Sequence, residues 1–378
     1  MGKEDLYQDR VNRIKKAIAG EPVEQVPLIY MASAFSPRFL GHTVADTIED
    51  PEVSAKSHLN AMNHFDSFDG LQMAGANPAP LLAGAWLSRV KLPGRELPAD
   101  SLWQVEEKER MKPEDYDYIL YNGFSAFMES FLPQVVDMEL FISTVKWNAS
   151  NRARVKQMYR EEGYVLLCDT GAPMITIPFD KLSGGRSLQN FVFDLYRTPD
   201  KVEEVMKIIH HENLANIKNA PDPGPDTMGG LWVGGWRCAS AMLAPKLWER
   251  FVWPYIVETV EAVINKGFVP ILHWDQDWSR DLERLNELPS RKVILAPDGM
   301  TDVRKFRQIV GDRMALMGDT PPSLFSHGTP EDVYNYIRDL VRDIGTTSLL
   351  LCPGCDAPIN TKPENMEAFV KAGKDYGK

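Results

Sequence analysis

The sequence has few cysteines, no long hydrophobic run and no block of basic residues. Four cysteines among 378 residues are too few for a disulfide scaffold, which predicts reduced thiols and a cytoplasmic protein. No apolar run approaches the roughly 18 residues that a membrane-spanning helix needs, and the charged N-terminus does not resemble a signal peptide. Acidic residues outnumber basic ones by 53 to 42, which excludes nucleic-acid binding as the main function.

The composition is that of a globular protein, with 44% hydrophobic and 25% charged residues. In the second half of the chain, short apolar runs alternate with amphipathic stretches of helical length at 245–266, 302–311 and 330–344. Such alternation is typical of parallel strands joined by helical crossovers. The apolar runs are VLLCDT ending at Thr170, LWVGG from Leu231, VPILHWD ending at Asp275, KVILAPD ending at Asp298, RMALMGD ending at Asp319 and SLLLCPGC ending at Cys355.

Polar residues with catalytic potential lie at the C-terminal ends of these predicted strands. They are Asp169, His273, Asp275, Asp298, Asp319 and Cys355. In a (β/α)8 barrel these ends converge on one rim, where such enzymes keep their active sites, whereas an open sheet would disperse them. No GxGxxG motif follows the first predicted strand, at 26–30, to support nucleotide binding. We therefore predict an α/β fold, a single (β/α)8 (TIM) barrel domain over 1–378 with additional N-terminal helices, the first at 7–19.

Three of these residues form a candidate metal site. His273 and Asp275 are two positions apart on a strand and so point to the same face, and Cys355 follows a Pro-Gly pair after the last predicted strand. An imidazole, a carboxylate and a thiolate with an open fourth position suit a catalytic zinc ion. Other interpretations stay open: a structural histidine, aspartates that cap the next helices, or a redox or metal-binding pair that includes Cys352.

Several motifs are similar to those of the uroporphyrinogen decarboxylase superfamily, and within it to the corrinoid-dependent methyltransferase branch. The resemblance begins at 10–30 and is strongest from Ala244 onward, in the segments PKLWERFVWPYI, ILHWD, HGTPEDV and PGC-x-x-P-x4-PEN. In that branch zinc is held by His-x-Cys and by the cysteine of the PGC motif, which implies His273, Asp275 and Cys355 as ligands here. Asp275 stands where the coenzyme M methyltransferases have cysteine. A carboxylate leaves zinc a harder Lewis acid, better suited to a substrate oxygen than to a thiol.

Decarboxylation of uroporphyrinogen itself is a poor match to the sequence. The family's arginine-rich signature should follow the first strand, but the segment there is IYMASAFSPRFLG, with Arg38 as its only base. A substrate with eight carboxylates requires several basic side chains.

The resemblance implies a zinc-dependent methyltransferase that demethylates a methoxylated, aromatic substrate. The methyl group would pass to the Co(I) corrinoid of a partner protein, because the chain has no DxHxxG motif for cobalamin. Asp298 or Asp319 would protonate the leaving oxygen. The substrate-binding candidates are Trp232, Trp236 and Trp274 as pocket walls, and Arg237 as a ligand for a substrate carboxylate.

Alternatives remain at this stage. Trp274 could pack outward together with Trp278, and Arg237 could form a surface salt bridge. The chain could instead be a methylcobamide:thiol methyltransferase, a lyase, or a binding protein that has lost the chemistry. The sequence leaves open whether Cys352 joins the metal site and whether the protein is a homodimer.

Overall fold

The computed structural model describes residues 2–168, 171–224 and 227–378, and every structural statement concerns these residues. The α-helices are α1 (Lys3–Ile18), α2 (Phe35–Phe39), α3 (Val44–Glu49), α4 (Pro51–Phe65), α5 (Leu82–Trp86), α6 (Pro113–Asn122), α7 (Phe124–Val135), α8 (Met138–Glu161), α9 (Pro178–Gly185), α10 (Leu188–Arg197), α11 (Pro199–Asn219), α12 (Pro245–Phe251), α13 (Trp253–Asn265), α14 (Val303–Val310), α15 (Pro322–His327), α16 (Pro330–Ile344) and α17 (Pro363–Tyr376). Short 3₁₀ helices lie at Ala79–Leu81, Ser240–Met242, Leu282–Glu287 and Gly311–Arg313.

The strands are β1 (Ile29–Tyr30), β2 (Gly70–Leu71), β3 (Val90–Lys91), β4 (Gln104–Val105), β5 (Val165–Leu166), β6 (Ile175–Thr176), β7 (Gly230–Gly235), β8 (Val269–Trp274), β9 (Ile294–Pro297), β10 (Ala315–Thr320) and β11 (Leu349–Pro353). β3 and β4 form a separate antiparallel ribbon.

Eight parallel strands form a closed barrel in the order β1, β2, β5, β7, β8, β9, β10, β11. Continuous pairing joins β1 to β2 and β5, and β7 through to β11. Two parallel bridges close the ring: Cys168 with Gly230 links β5 to β7, and Leu28 with Leu351 links β1 to β11. β6 lies farther along the chain than β5 and pairs with the second half of β7. The predicted (β/α)8 barrel is confirmed.

Side chains of the barrel strands alternate between the lumen and the helix layer. On β8, Ile271 packs in the lumen cluster, whereas Leu272 and Trp274 pack in the outer cluster beneath the helices. This alternation follows from the period of two in an extended strand. It places His273, two residues after Ile271, on the lumen side.

Helix α1 closes the N-terminal end of the barrel. One of its faces, which includes Val11 and Ile14, packs with the lumen residues. Asp69 directly precedes β2 and anchors the helix: Arg13 Nη1 donates to Asp69 Oδ1 at 2.7 Å, and Arg10 Nε lies 3.7 Å from the same oxygen. The Leu28 amide, just before β1, donates to Asp69 Oδ2 at 2.8 Å. The opposite, C-terminal end is therefore the open rim.

Local sequence signals mark the ends and the buried face of the outer helices, and α16 is an example. Thr329 Oγ1 accepts from the Asp332 amide, and Asp332 Oδ2 accepts from the Thr329 amide at 2.8 Å, which makes a capping box. Pro330 at the first helical position and Gly345 after the last residue mark its ends. Its buried residues recur at helical spacing, at Val333, Ile337, Leu340 and Ile344.

Most predicted elements are confirmed, and the differences are local. The predicted strands after residue 230 correspond to β7 to β11, and the predicted helix at 330–344 coincides with α16. The predicted helix at 245–266 divides at Val252 into α12 and α13, and the first strand is shorter than predicted. Asp169 and Thr170 lie outside the described residues. None of the described helices has both the length and the apolarity to cross a membrane.

Replacing Asp69 with alanine should lower the free energy of unfolding by about 3–5 kcal/mol, because buried Arg10 would lose its counter-charge. Urea unfolding would measure the change. The control is Arg284→Ala, which removes only partly exposed ion pairs with Glu249 and Glu287 and should cost about 1 kcal/mol or less. Equal losses in the two variants would contradict the anchoring role of Asp69.

Candidate metal centre

The structure brings the three predicted ligands together at the open rim. The donor atoms of His273, Asp275 and Cys355 all lie within 4.8 Å of one another. His273 pairs in the sheet between Gly234 of β7 and Ala296 of β9. Both neighbours are small, and the missing Cβ of Gly234 leaves room for the ring of Trp232, which lies beside the imidazole. Cys355 reaches the same point from the turn after β11.

Burial disfavours the charged form of each of these groups. It lowers the pKa of His273 to about 4, although the charges of Asp298 and Asp356 act to raise it. Burial, together with the charge of Asp298, raises the pKa of Asp275 to about 7. Burial and the nearby carboxylates raise the pKa of the Cys355 thiol to about 12. A bound cation would reverse these shifts for the acid and the thiol, since it stabilises both anions.

The geometry fits a four-coordinate zinc ion after a small adjustment. Zinc bonds of 2.0–2.3 Å place tetrahedral donor atoms about 3.3–3.8 Å apart, and His273 Nε2 lies 3.8 Å from Asp275 Oδ1. That separation is too long for a hydrogen bond. His273 Nδ1 is buried and has no hydrogen-bond partner among the described residues. The imidazole is thus not held by the structural hydrogen bonds that the alternative interpretation requires.

Cys352 is not part of this group of donors. It is fully buried in β11, within the lumen cluster. Burial raises the pKa of its thiol well above the ordinary value. The group of donor atoms includes Cys355 and not Cys352, so the geometry favours a site with Cys355 alone.

Asp298 lies next to the centre. Its Oδ2 accepts from the Gln276 amide at 2.9 Å and its Oδ1 from the Met300 amide at 2.8 Å. It therefore ties the loop after β8 to the loop after β9. It does not cap α14, since Asp302 performs that role. Both of its oxygens therefore accept main-chain hydrogen bonds.

Asp319 is directed away from the centre. Tyr336 on α16 donates to its Oδ1 at 2.9 Å, and its charged neighbours are Arg304 on α14 and the preceding Asp302. Burial raises its pKa to about 7. The structure thus corrects the prediction that Asp319 protonates a leaving group, because its carboxyl group faces the outer helix layer.

Trp232 lies beside the metal ligands. Its ring centroid is 6.0 Å from that of His273, and the two planes are inclined by 29°. The indole covers Gly234, where an added Cβ would come within 2.2 Å of the ring. The glycine therefore makes room for the tryptophan in the lumen. This placement is compatible with the predicted substrate contact.

Trp236 belongs to an aromatic cluster that the sequence did not indicate. It packs against Trp86 at a centroid distance of 5.4 Å, and Trp86 packs against Trp103 at 5.3 Å. All three are half-buried. Trp86 and Trp103 come from the long excursion between β2 and β5, so no local motif connects them to β7. Because Trp86 and Trp103 are far from Trp236 in the sequence, no sequence pattern predicts this cluster.

One predicted substrate contact, Trp274, is wrong, and another, Arg237, has other partners in the structure. Trp274 is 1% exposed, stacks on Trp278 at a centroid distance of 3.9 Å and packs in the outer cluster. This is the alternative in which Trp274 packs outward together with Trp278. Arg237 is buried, forms an ion pair with Glu107 and donates to the Ser183 carbonyl at 2.9 Å. Its guanidinium is thus already engaged and is not available for a substrate carboxylate.

Two acidic residues that sequence reasoning missed hold the rim loops. Buried Asp180 accepts from the amides of Trp236, Arg237 and Cys238 at 2.8–3.1 Å, which fixes the loop after β7. Asp356 Oδ1 accepts from the Ser33 amide at 2.6 Å and its Oδ2 accepts from the Ser33 hydroxyl. Asp356 follows Cys355 directly, and this adjacency is a signal that could have identified it.

Comparisons with known proteins show the family to which the chain belongs. The sequence profile described as Uroporphyrinogen decarboxylase (URO-D) matches residues 157–376, more than half of the chain. The chain belongs to the uroporphyrinogen decarboxylase family. It is 21% identical over 397 residues to uroporphyrinogen decarboxylase of Danio rerio, covering 99% of this chain and 96% of that protein. It is 24% identical over 183 residues to the enzyme of Christiangramia forsetii, covering 48% and 50%.

A solved structure shares the fold over almost the whole length. It is a methyltransferase from Methanosarcina mazei, with a TM-score of 0.71 and 14% sequence identity, covering 97% of this chain and 98% of that one. At that level of identity the likeness shows the fold, a URO-D-type barrel.

Purified protein should contain about one zinc ion per chain, since three donors and an open position define such a site. His273→Ala and Cys355→Ala should each lose most of it. Asp319→Asn is the matched control and should keep the metal, because that side chain faces the helix layer. Elemental mass spectrometry measures the content. Metal retained in His273→Ala, or lost in Asp319→Asn, would show that the ligand assignment is wrong.

Zinc affinity should increase between about pH 6 and pH 8. The carboxyl group of Asp275, with a pKa of about 7, and the thiol of Cys355, with a pKa of about 12, must release protons when they bind the cation. Calorimetric titration in buffers of different ionisation enthalpy would count those protons. The Asp275→Asn variant should release fewer protons on zinc binding than the wild-type protein. An affinity independent of pH, without proton release, would contradict the assignment of these two ligands.

Proposed function

We propose that this chain is a zinc-dependent methyltransferase that demethylates a methoxylated, aromatic substrate. The methyl group passes to the Co(I) corrinoid of a partner protein. The observation that carries the proposal is the cluster of His273, Asp275 and Cys355 at the open rim of the barrel. The Methanosarcina protein that shares the fold is a methyltransferase, which supports the same class of reaction. A cytoplasmic location belongs to the proposal as well.

The donor set favours oxygen as the atom that loses the methyl group. His273, Asp275 and Cys355 would hold zinc through one nitrogen, one oxygen and one sulfur, and the bound ion would supply a Lewis acid for an ether oxygen. With only one thiolate ligand, the site favours harder donor atoms than a site with two thiolates. In the overall reaction the methyl–oxygen bond would break with both electrons staying on oxygen, and a methyl–cobalt bond would form as Co(I) becomes methyl-Co(III). The oxygen would take up a proton from a nearby acid or from water. The product is the corresponding phenol or alcohol.

The chain's own residues position the substrate and shape the charge around it. Trp232 forms one wall beside His273, and an aromatic ring of the substrate can stack or pack edge-on against it. Asp180 fixes the loop that carries Trp236 through three main-chain hydrogen bonds. Asp298 anchors two rim loops through the amides of Gln276 and Met300, and its carboxyl group is the remaining candidate for the acid that protonates the leaving oxygen.

Decarboxylation, the activity named for the curated relatives, fits these residues less well. Arg38, the only base in the segment after the first strand, lies 3.2 Å from Asp100. Arg237 is paired with Glu107. The acidic side chains near the centre would repel a substrate with many carboxylates.

Wild-type protein loaded with zinc should convert a methyl aryl ether to the phenol when free cob(I)alamin replaces the partner. Replacing Asp275 with cysteine should lower this rate by about tenfold or more and introduce methylation of a thiol by methylcobalamin, because a second thiolate softens the metal. Chromatography of the phenol and the cobalamin absorbance measure the two reactions.

The control for this experiment is Asp319→Asn, which should keep the ether activity of the wild type. Wild-type protein that methylates thiols and leaves ethers unchanged would favour the thiol methyltransferase instead. Zinc-loaded protein inactive in both reactions would contradict the proposal.

A further inference from the structure

The turn that carries Cys355 is held on both sides of that residue. On the N-terminal side, the Gly354 amide donates to the Thr320 carbonyl at the end of β10, at 2.8 Å. On the C-terminal side, the Ala357 amide donates to the Met31 carbonyl, just after β1, at 2.9 Å. The turn therefore joins the chain after β10 to the chain after β1.

A side-chain contact strengthens this hold directly beside the cysteine. Asp356 Oδ1 accepts from the Ser33 amide at 2.6 Å, and Asp356 Oδ2 accepts from the Ser33 hydroxyl. We call this pair of hydrogen bonds the Ser33–Asp356 clamp. Because Asp356 is bonded to Cys355 through the main chain, the clamp restricts the chain next to the sulfur ligand.

The segment that supplies Ser33 is anchored independently of the turn. The Ser36 hydroxyl donates to the Ala32 carbonyl at 2.6 Å, and the Ser36 amide donates to the same carbonyl at 3.0 Å. The hydroxyl groups of Tyr30 and Ser36 lie 2.8 Å apart, and both residues are buried. A ligand is held in place only by a support that is itself fixed, and this segment meets that condition.

Cys355 depends on such support more than the other two ligands do. His273 lies within β8, and the Asp275 amide, directly after that strand, donates to the Gly235 carbonyl of β7 at 2.8 Å. Cys355 lies two residues beyond Pro353, the last paired residue of β11. The turn and its clamp, rather than the sheet, therefore set the position of the sulfur.

We infer that Ser33 is a positioning residue of the metal centre. Its clamp on Asp356 holds the turn so that Cys355 completes the site begun by His273 and Asp275. This inference rests on the metal site of the proposed function and adds a residue from the segment after β1. That segment thereby serves the metal centre.

Cobalt binding tests the inference without turnover. Ser33 is half-buried, so Ser33→Ala should fold. It should lower the affinity for Co(II) by about tenfold or more, as is typical when a group that orients a metal ligand is lost. The near-ultraviolet thiolate-to-cobalt band should weaken relative to the visible cobalt bands, which a purely structural role would not change. Ser33→Thr keeps the hydroxyl and should restore both properties.

Alkylation of Cys355 provides a second measurement. The other three cysteines are buried, whereas Cys355 is half-buried, so iodoacetamide should modify Cys355 first. Bound zinc should protect the thiolate, and the protection should be weaker in Ser33→Ala than in the wild-type protein. Mass spectrometry of the modified peptide measures the rate.

Ser125→Ala is the matched control. Ser125 holds Glu212 in the same manner, through its amide at 3.0 Å and its hydroxyl at 2.8 Å, but Glu212 neighbours no metal ligand in the sequence. This variant should keep the cobalt affinity, the thiolate band and the zinc protection of the wild type. Equal losses in Ser33→Ala and Ser125→Ala would overturn the inference, because they would show a general loss of stability.

The outcomes separate the inference from the proposed function. If the wild-type protein binds cobalt and Ser33→Ala matches it in affinity, spectrum and protection, the inference fails and the proposed function stands. A wild-type protein that binds no cobalt overturns both. Weaker bonding of the sulfur in Ser33→Ala, restored in Ser33→Thr, supports the inference.

Discussion

A closed parallel barrel gives each strand residue only two directions, the lumen or the helix layer, and the site depends on that constraint. On β8 it directs His273 inward and Trp274 outward. His273 pairs with Gly234, whose missing Cβ leaves room for the indole of Trp232 beside the imidazole. Closure between β11 and β1 then brings the Cys355 turn to the same rim. With α1 closing the other end, that rim is the accessible face of the barrel.

Without a cation, burial favours the uncharged form of each group in the centre, and a bound cation would stabilise the anions of Asp275 and Cys355. A neutral histidine, a carboxyl group with a pKa of about 7 and a thiol with a pKa of about 12 are all shifted by burial toward their uncharged forms. The charge of Asp298 raises the pKa of both Asp275 and Cys355, and that of Asp356 raises the pKa of Cys355 as well.

The sequence predicted the elements whose signal is local. Short apolar runs predicted β7 to β11, and the spacing of His273 and Asp275 placed both at the mouth. The same alternation along β8 directs Trp274 outward. β2 escaped prediction because two residues, Gly70 and Leu71, are too few to show a pattern. The contacts of Trp86 with Trp236, of Asp180 with the loop after β7, and of Asp319 with Tyr336 join distant segments, which one sequence does not reveal.

X-ray absorption at the zinc edge tests the central claim most directly, because it counts the atoms around the metal. The account predicts one sulfur at about 2.3 Å and three nitrogen or oxygen atoms at about 2.0–2.2 Å, from His273, Asp275, Cys355 and one exchangeable ligand. In Asp275→Cys the spectrum should show two sulfurs. Two sulfurs in the wild-type protein, or none, would contradict the ligand set on which the chemistry is built.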